Sequence, residues 1–190
     1  MNPQDSQWQI EGQAKFQIGQ AFYNPQSQVV RDLGVLTGAI YRHDQGSLRV
    51  LDALAGCGVR SLRYCLESQA DYLWVNEGNP QHNDLIKHNL AAITSANYQL
   101  THQDAHQVFF NCYQQRDYYD LVDVDCFGSA VPYLNTMLWA TKIGGLMYLT
   151  STDGRIITGH SPEQTVQVYN AIARSHPAIQ EQALRILIGA

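Results

Sequence analysis

Four short stretches hold the side chains best suited to chemistry, and each closes an apolar run. LRVLDAL (48–54) passes into Asp52-Ala53-Leu54-Ala55-Gly56-Cys57-Gly58, where glycines let the backbone approach a ligand closely. DYLWVN (71–76) ends in Asn76-Glu77, and a carboxylate at that point can accept both hydroxyls of a ribose. A weaker run ends in His102-Gln103-Asp104-Ala105-His106; Asp104 can accept from an adenine amino group or cap the next helix. DLVDV (120–124) leads into Asp123-Val124-Asp125-Cys126-Phe127-Gly128-Ser129, an acid, an aromatic and a glycine in a row. Extruded bases are read by stacking and by edge hydrogen bonds. Phe127 can supply the face, and Asp125 can accept from N1–H and N2–H2 of guanine.

Each stretch also has a plain reading. The glycines can form an ordinary turn, Glu77 can be a solvated loop residue, and Asp125 with Phe127 can be a capping acid and a core ring. The pattern across stretches separates the readings. Leu62 and Arg63 stand where a third glycine of G-x-G-x-x-G would fall, which counts against a dinucleotide pyrophosphate. A glycine turn followed one helix later by an acid suits a nucleoside with an amino-acid tail, as in S-adenosylmethionine.

Cys57 and Cys126 lie near the expected cleft, but neither has a neighbouring base in sequence, so both read as packing residues. No C-x-x-C pair marks a zinc site, and His82 and His88 are spaced poorly for one helix face, so no metal is expected. Scattered thiols, no basic-plus-apolar leader and no long apolar run point to a reduced, cytoplasmic protein without a membrane span. The net charge of -5 speaks against a nucleic-acid partner. The sequence does not set an oligomeric state.

The elements that must position these residues follow from periodicity. A strand is expected at Gln13–Ile18 in an otherwise Gln-rich leader. Asn24 caps a helix begun at Pro25, with Val29, Val30, Leu33, Leu36 and Ile40 as its apolar face to about Tyr41. Strands are then expected at 48–54, 71–76, 98–102, 120–124 and 145–150. Helices are expected at 59–67, 80–93, 105–113, 133–141, 162–174 and 179–188. Alternation of this kind predicts an α/β fold with a mostly parallel sheet and helices on both faces. Residues 1–44 are expected to form an extension and helix, and 45–190 the main domain.

The chain resembles the tRNA guanine-26 N2-dimethyltransferases. The matching stretches are EGQAKF (11–16), FYNPQSQVVRDL (22–33), LDALAGCGVRSLRYCLE (51–67), NEGNP (76–80), HQDA (102–105), DVDCFGS (123–129), TSTDG (150–154) and ALRILIG (183–189). The resemblance implies a Rossmann-like class I methyltransferase that takes S-adenosylmethionine and acts on the exocyclic N2 of guanine 26 in tRNA. It implies cofactor contacts at Arg31, Arg60, Glu77, Asp104 and Ala105, joined by Asp52, Gly56 and Gly58 of the first loop. It implies catalysis at Asp125 and Phe127, with Phe22 and Asn24 bordering the base. The family usually has proline at the position of Cys126 and aspartate at that of Glu77. Its members run well past residue 190, so a truncated or shortened member is expected, with the last sheet strands absent and the strand near Leu146–Thr150 left as an edge. Two other functions stay open on the residues alone: a methyltransferase of another substrate, and a catalytically incomplete RNA-binding fragment.

Overall fold

The computed structural model describes residues 8–93 and 97–189. They fall into two compact units. One holds the residues up to Val124 with Thr136–Tyr148; the other holds Asp125–Asn135 and the residues from Leu149 onward.

The first unit opens with an antiparallel hairpin, β1 (Trp8–Glu11) and β2 (Ala14–Gln17), where the sequence predicts a single strand. Ala14 and Phe16 are buried and Lys15 between them is exposed, the period-two signature of a half-buried strand. The Asn24 side chain accepts from the Gln26 amide at 3.0 Å and opens a single 3-10 turn at Pro25–Ser27, which passes into α1 (Gln28–Gln45). No helix breaker occurs between Tyr41 and Gly46, so α1 outruns its expected end.

The buried face of α1 differs from the expected one. Val29, Leu33, Leu36 and Ile40 are all more than half exposed, while Arg31, Gly34, Val35 and Gly38 are buried. Small residues decide this. A Cβ on Gly34 would stand 2.7 Å from the Tyr64 hydroxyl, and one on Gly38 3.1 Å from Ser68 Oγ. Close approach on the glycine side excludes the bulkier stripe from the interior.

The sheet follows as β3 (Arg49–Asp52), α2 (Val59–Leu66), β4 (Tyr72–Asn76), α3 (Asn83–Leu90), β5 (Asn97–Thr101), α4 (Ala105–Gln115), β6 (Tyr119–Cys126), α5 (Val131–Leu134) and β7 (Thr141–Ser151). Its strand order is β5-β4-β3-β6-β7, and the β3–β4, β3–β6 and β4–β5 pairs are parallel. This is the expected α/β class. Val50, Leu51, Leu73, Val75, Leu121 and Val122 are fully buried, as strands covered on both faces must be. β7 closes the order at one side, with Ile143 and Met147 exposed along it.

The helix expected at 133–141 is instead the four-residue α5, a 3-10 turn at Met137–Trp139 and the start of β7. Asn135 and Thr136 are poor helix formers whose side chains compete for the backbone. In the second unit α6 (Gly154–Ile157), α7 (Pro162–Tyr169) and α8 (Ile179–Gly189) follow, around a small core of Tyr169, Ala173 and Ile186. α7 stops short of Arg174 because Asn170 adopts a left-handed φ of 50°, which asparagine tolerates. Among the described residues no helix is long and apolar enough to cross a membrane.

Candidate functional site

Because β3, β4 and β5 run parallel, the loops after them leave one edge of the sheet. Asn76, the fully buried last residue of β4, ties those loops together. Its Nδ2 donates to the carbonyls of Ala53 and Gln103, each at 3.0 Å. Its Oδ1 accepts from Thr101 Oγ1 at 2.8 Å and from the Gln103 amide at 3.1 Å. That uses the full capacity of the amide.

Glu77 comes next in the chain. Its Oε2 accepts from the Gly56 amide at 2.8 Å and its Oε1 from the Asn79 amide at 2.9 Å. The acidic residue after β4 and the glycine turn after β3 therefore meet directly. Gly56 and Gly58 hold φ values of 58° and 82°, a region that other residues enter only with strain. Each Glu77 oxygen keeps a second lone pair, so the carboxylate retains acceptor capacity. Asp104 caps α4, accepting from the amides of His106 at 2.9 Å and Gln107 at 3.4 Å, both through Oδ1. Ala105 is the buried first residue of that helix.

The FYNP segment joins the same edge. The Phe22 carbonyl lies 3.8 Å from where a Cβ on Gly56 would stand, while the Phe22 side chain is 73% exposed. The Asn24 carbonyl accepts from Arg31 Nη2 at 3.1 Å. Arg31 is buried, and its Nε and Nη2 donate to the two oxygens of Glu11 at 2.7 and 2.5 Å. Burial pushes the Cys57 thiol up to about 11, with Arg31's charge pulling the other way. At that value Cys57 stays protonated near neutrality and serves packing.

Asp52 and Arg60 sit deeper. Ser61 Oγ donates to Asp52 Oδ2 at 2.6 Å, and Arg60 Nη1 donates to Asp123 Oδ2 at 3.1 Å, beside the Tyr64 hydroxyl at 2.6 Å. Both residues are at most 4% exposed.

In the second unit Thr150 Oγ1 donates to Asp125 Oδ1. Phe127 is 83% exposed. Cys126, in the place where proline is usual, is buried, and its Sγ contacts the carbonyls of Ser129 at 3.5 Å and Thr150 at 3.3 Å. Gly128 donates to Thr152 Oγ1 at 2.8 Å. These bonds hold the turn on either side of Phe127. Among the described residues no group of His, Cys, Asp and Glu is placed to hold a metal ion.

Sequence reasoning gave no role to Asn76 or Glu11. Asn76 had a signal, a fully polar amide closing an otherwise apolar strand. Glu11 had only its place in EGQAKF.

A parallel sheet with a glycine turn after one strand and an acid after the next is the architecture of Rossmann-like methyltransferases. A putative methyltransferase complexed with SAH, SMU.776, shares the fold at a TM-score of 0.67, 13% identity and 89% of this chain, 47% of its own. The chain belongs to the N2,N2-dimethylguanosine tRNA methyltransferase family, whose pattern it matches over residues 5–190. It is 33% identical over 169 residues, 88% of its length, to the tRNA (guanine(26)-N(2))-dimethyltransferase of Pyrobaculum islandicum. It is 30% identical over 98% of its length to that of Saccharolobus solfataricus. It spans 46% and 47% of those two relatives. The structure of Trm1 from Pyrococcus horikoshii with S-adenosyl-L-methionine superposes with a TM-score of 0.81 at 26% identity, over 96% of this chain and 52% of that one.

Proposed function

We propose that this chain forms the S-adenosylmethionine-binding, catalytic half of a tRNA guanine-26 N2-methyltransferase of the cytoplasm. The observation that carries the reading is its alignment, over nearly its whole length, with relatives named for that activity. The local chemistry supports the cofactor half. Glu77 at the Gly56 turn offers acceptors for a ribose, and the Oδ2 of Asp104 remains for an adenine amino group. Arg31, whose Nε and Nη2 are held by Glu11 and the Asn24 carbonyl, offers its positive charge and its Nη1 donors to the cofactor's carboxylate. Gly58 and Ala105 give the ligand a close backbone wall, and Asp52 and Arg60 support that wall from within.

Bound there, S-adenosylmethionine supplies an electrophilic methyl group on a sulfonium that leaves as a neutral thioether. The exocyclic amine of guanine is a poor nucleophile because its lone pair is delocalised into the ring. Asp125 polarises the N2–H bond and takes the proton as the amine is alkylated. Phe127 fixes the base plane, so orientation carries much of the rate; Phe22 and Asn24 are assigned to base binding on the family resemblance. The test is methyl transfer from labelled S-adenosylmethionine to unmodified tRNA and to the same tRNA with guanine 26 replaced. Label is expected only in the first; equal labelling of both would overturn the assignment of the target base.

A further inference from the structure

We infer that Glu11 is the positioning residue for Arg31, fixing its guanidinium to receive the amino-acid tail of the cofactor; this rests on the reading above. Glu11 is 2% exposed and lies on the hairpin, outside every loop at the sheet edge. Its two oxygens take the Nε and Nη2 donors of Arg31 in a two-point clasp. The Asn24 carbonyl takes a further Nη2 hydrogen, and the Tyr23 ring lies 4.7 Å from the guanidinium carbon. The plane of Arg31 is thereby set from two sides. The bonds to Glu11 and the Asn24 carbonyl use Nε and Nη2, so Nη1 is the nitrogen left to meet a ligand carboxylate.

Arg63 makes the contrast. It also donates to Glu11, at 2.7 Å, but Glu67 clasps it with two bonds of 2.8 Å and Asp32 adds one of 2.7 Å. Four of its five donors are spent inside the protein, against three for Arg31. Burial raises the Glu11 carboxyl, but hydrogen bonds from Arg31 and Tyr23 outweigh it and hold the pKa below the usual value, so Glu11 is ionised at neutrality. A buried ion pair is weak evidence of a stability role, since apolar packing often serves as well. A guanidinium anchored through Nε and Nη2, with Nη1 left to donate, is instead suited to meet the charged tail through that one nitrogen.

The test is calorimetric titration of the wild type, Glu11→Gln and Glu11→Asp with two probes. S-adenosylhomocysteine carries the tail; 5′-methylthioadenosine lacks it. The wild type should favour the first. Glu11→Gln should lower that preference by about tenfold, the order of one charge-assisted hydrogen bond, with methylthioadenosine affinity unchanged. Glu11→Asp keeps the charge and should recover part of the preference. An unchanged preference in a folded Glu11→Gln, or equal loss of both probes, would overturn the inference. So would failure of both variants to fold, which would assign Glu11 to stability alone. A wild type that binds neither probe would instead remove the cofactor reading beneath it.

Discussion

The amide of Gly56 donates to Glu77 Oε2 at 2.8 Å, so the turn after β3 and the acid after β4 form one unit. This bond orients the carboxylate before any ligand arrives. Glu77→Gln preserves the shape and can keep the Gly56 bond through its amide oxygen, but loses the charge and one acceptor. Hydrogen bonds to charged groups contribute about 1.5–3 kcal/mol. S-adenosylhomocysteine binding should therefore weaken about ten- to a hundredfold, read by calorimetry. Undiminished binding would remove Glu77 from the ribose role.

Asn76 should matter more to stability than its single side chain suggests. Asn76→Ala strands the buried carbonyl of Ala53 and the half-buried carbonyl of Gln103 and leaves the Gln103 amide without its acceptor. Each of the three orphaned groups costs about 1–3 kcal/mol, so a total loss of about 3 kcal/mol or more is expected in urea unfolding. Asn76→Asp should be worse still, replacing two donors with a buried charge. A loss below about 1 kcal/mol for the alanine variant would show that the loops hold together without the amide.

The sheet was readable because its strands are continuous apolar runs and its turns are marked by glycine and acid. The existence of each strand and the placement of Glu77 beside Gly56 followed from that alternation. What was not readable has identifiable causes. The apolar stripe of α1 obeys helical periodicity, yet Gly34 and Gly38 admit Tyr64 and Ser68 so closely that the opposite face is buried. Periodicity marks two faces; partner approach decides which one packs. Glu11 was unreadable for another reason. Its partners Arg31 and Arg63 stand 20 and 52 residues away, and nothing in local spacing couples them. Asp104 shows the intermediate case, where the capping role came from sequence and a ligand role remains a proposal.

Acid should unfold the protein through its ion-paired carboxylates. At Glu11, burial raises the pKa while bonds from Arg31 and Tyr23 lower it; at Glu67, burial raises it while Arg63 and the Gln13 amide lower it. The net direction is downward for both, from the ordinary carboxyl value of 4.5. The unfolded chain therefore binds protons more readily, and stability rises with pH wherever that holds. The contribution is fully present above about pH 4.5 and is lost as pH falls through the lower folded values. Urea unfolding should give similar free energies at pH 7 and 5.5 and a steep decline from pH 4.5 to 3. Glu11→Gln, less stable at pH 7, should show a shallower decline and approach the wild type at pH 3. A curve with the wild-type slope would mean that Glu11 does not contribute to it.

The last prediction concerns Asp125, whose Oδ1 accepts from Thr150 Oγ1. Asp125→Ala and Asp125→Asn divide its proposed duties. Alanine removes both the charge and the contact with Thr150; asparagine keeps a polar group of the same size but cannot take a proton. A positioned general base is worth about 10²–10⁴-fold in rate. Methyl transfer to tRNA should therefore fall by about that factor in both variants, measured in single-turnover reactions at saturating cofactor. S-adenosylhomocysteine affinity should stay within about twofold, a difference of only a few tenths of a kcal/mol, because Asp125 is assigned to the base. If asparagine kept nearly full activity while alanine lost it, hydrogen bonding would suffice and proton acceptance by Asp125 would be ruled out. Equal loss of cofactor binding in both variants would move Asp125 from the base to the cofactor.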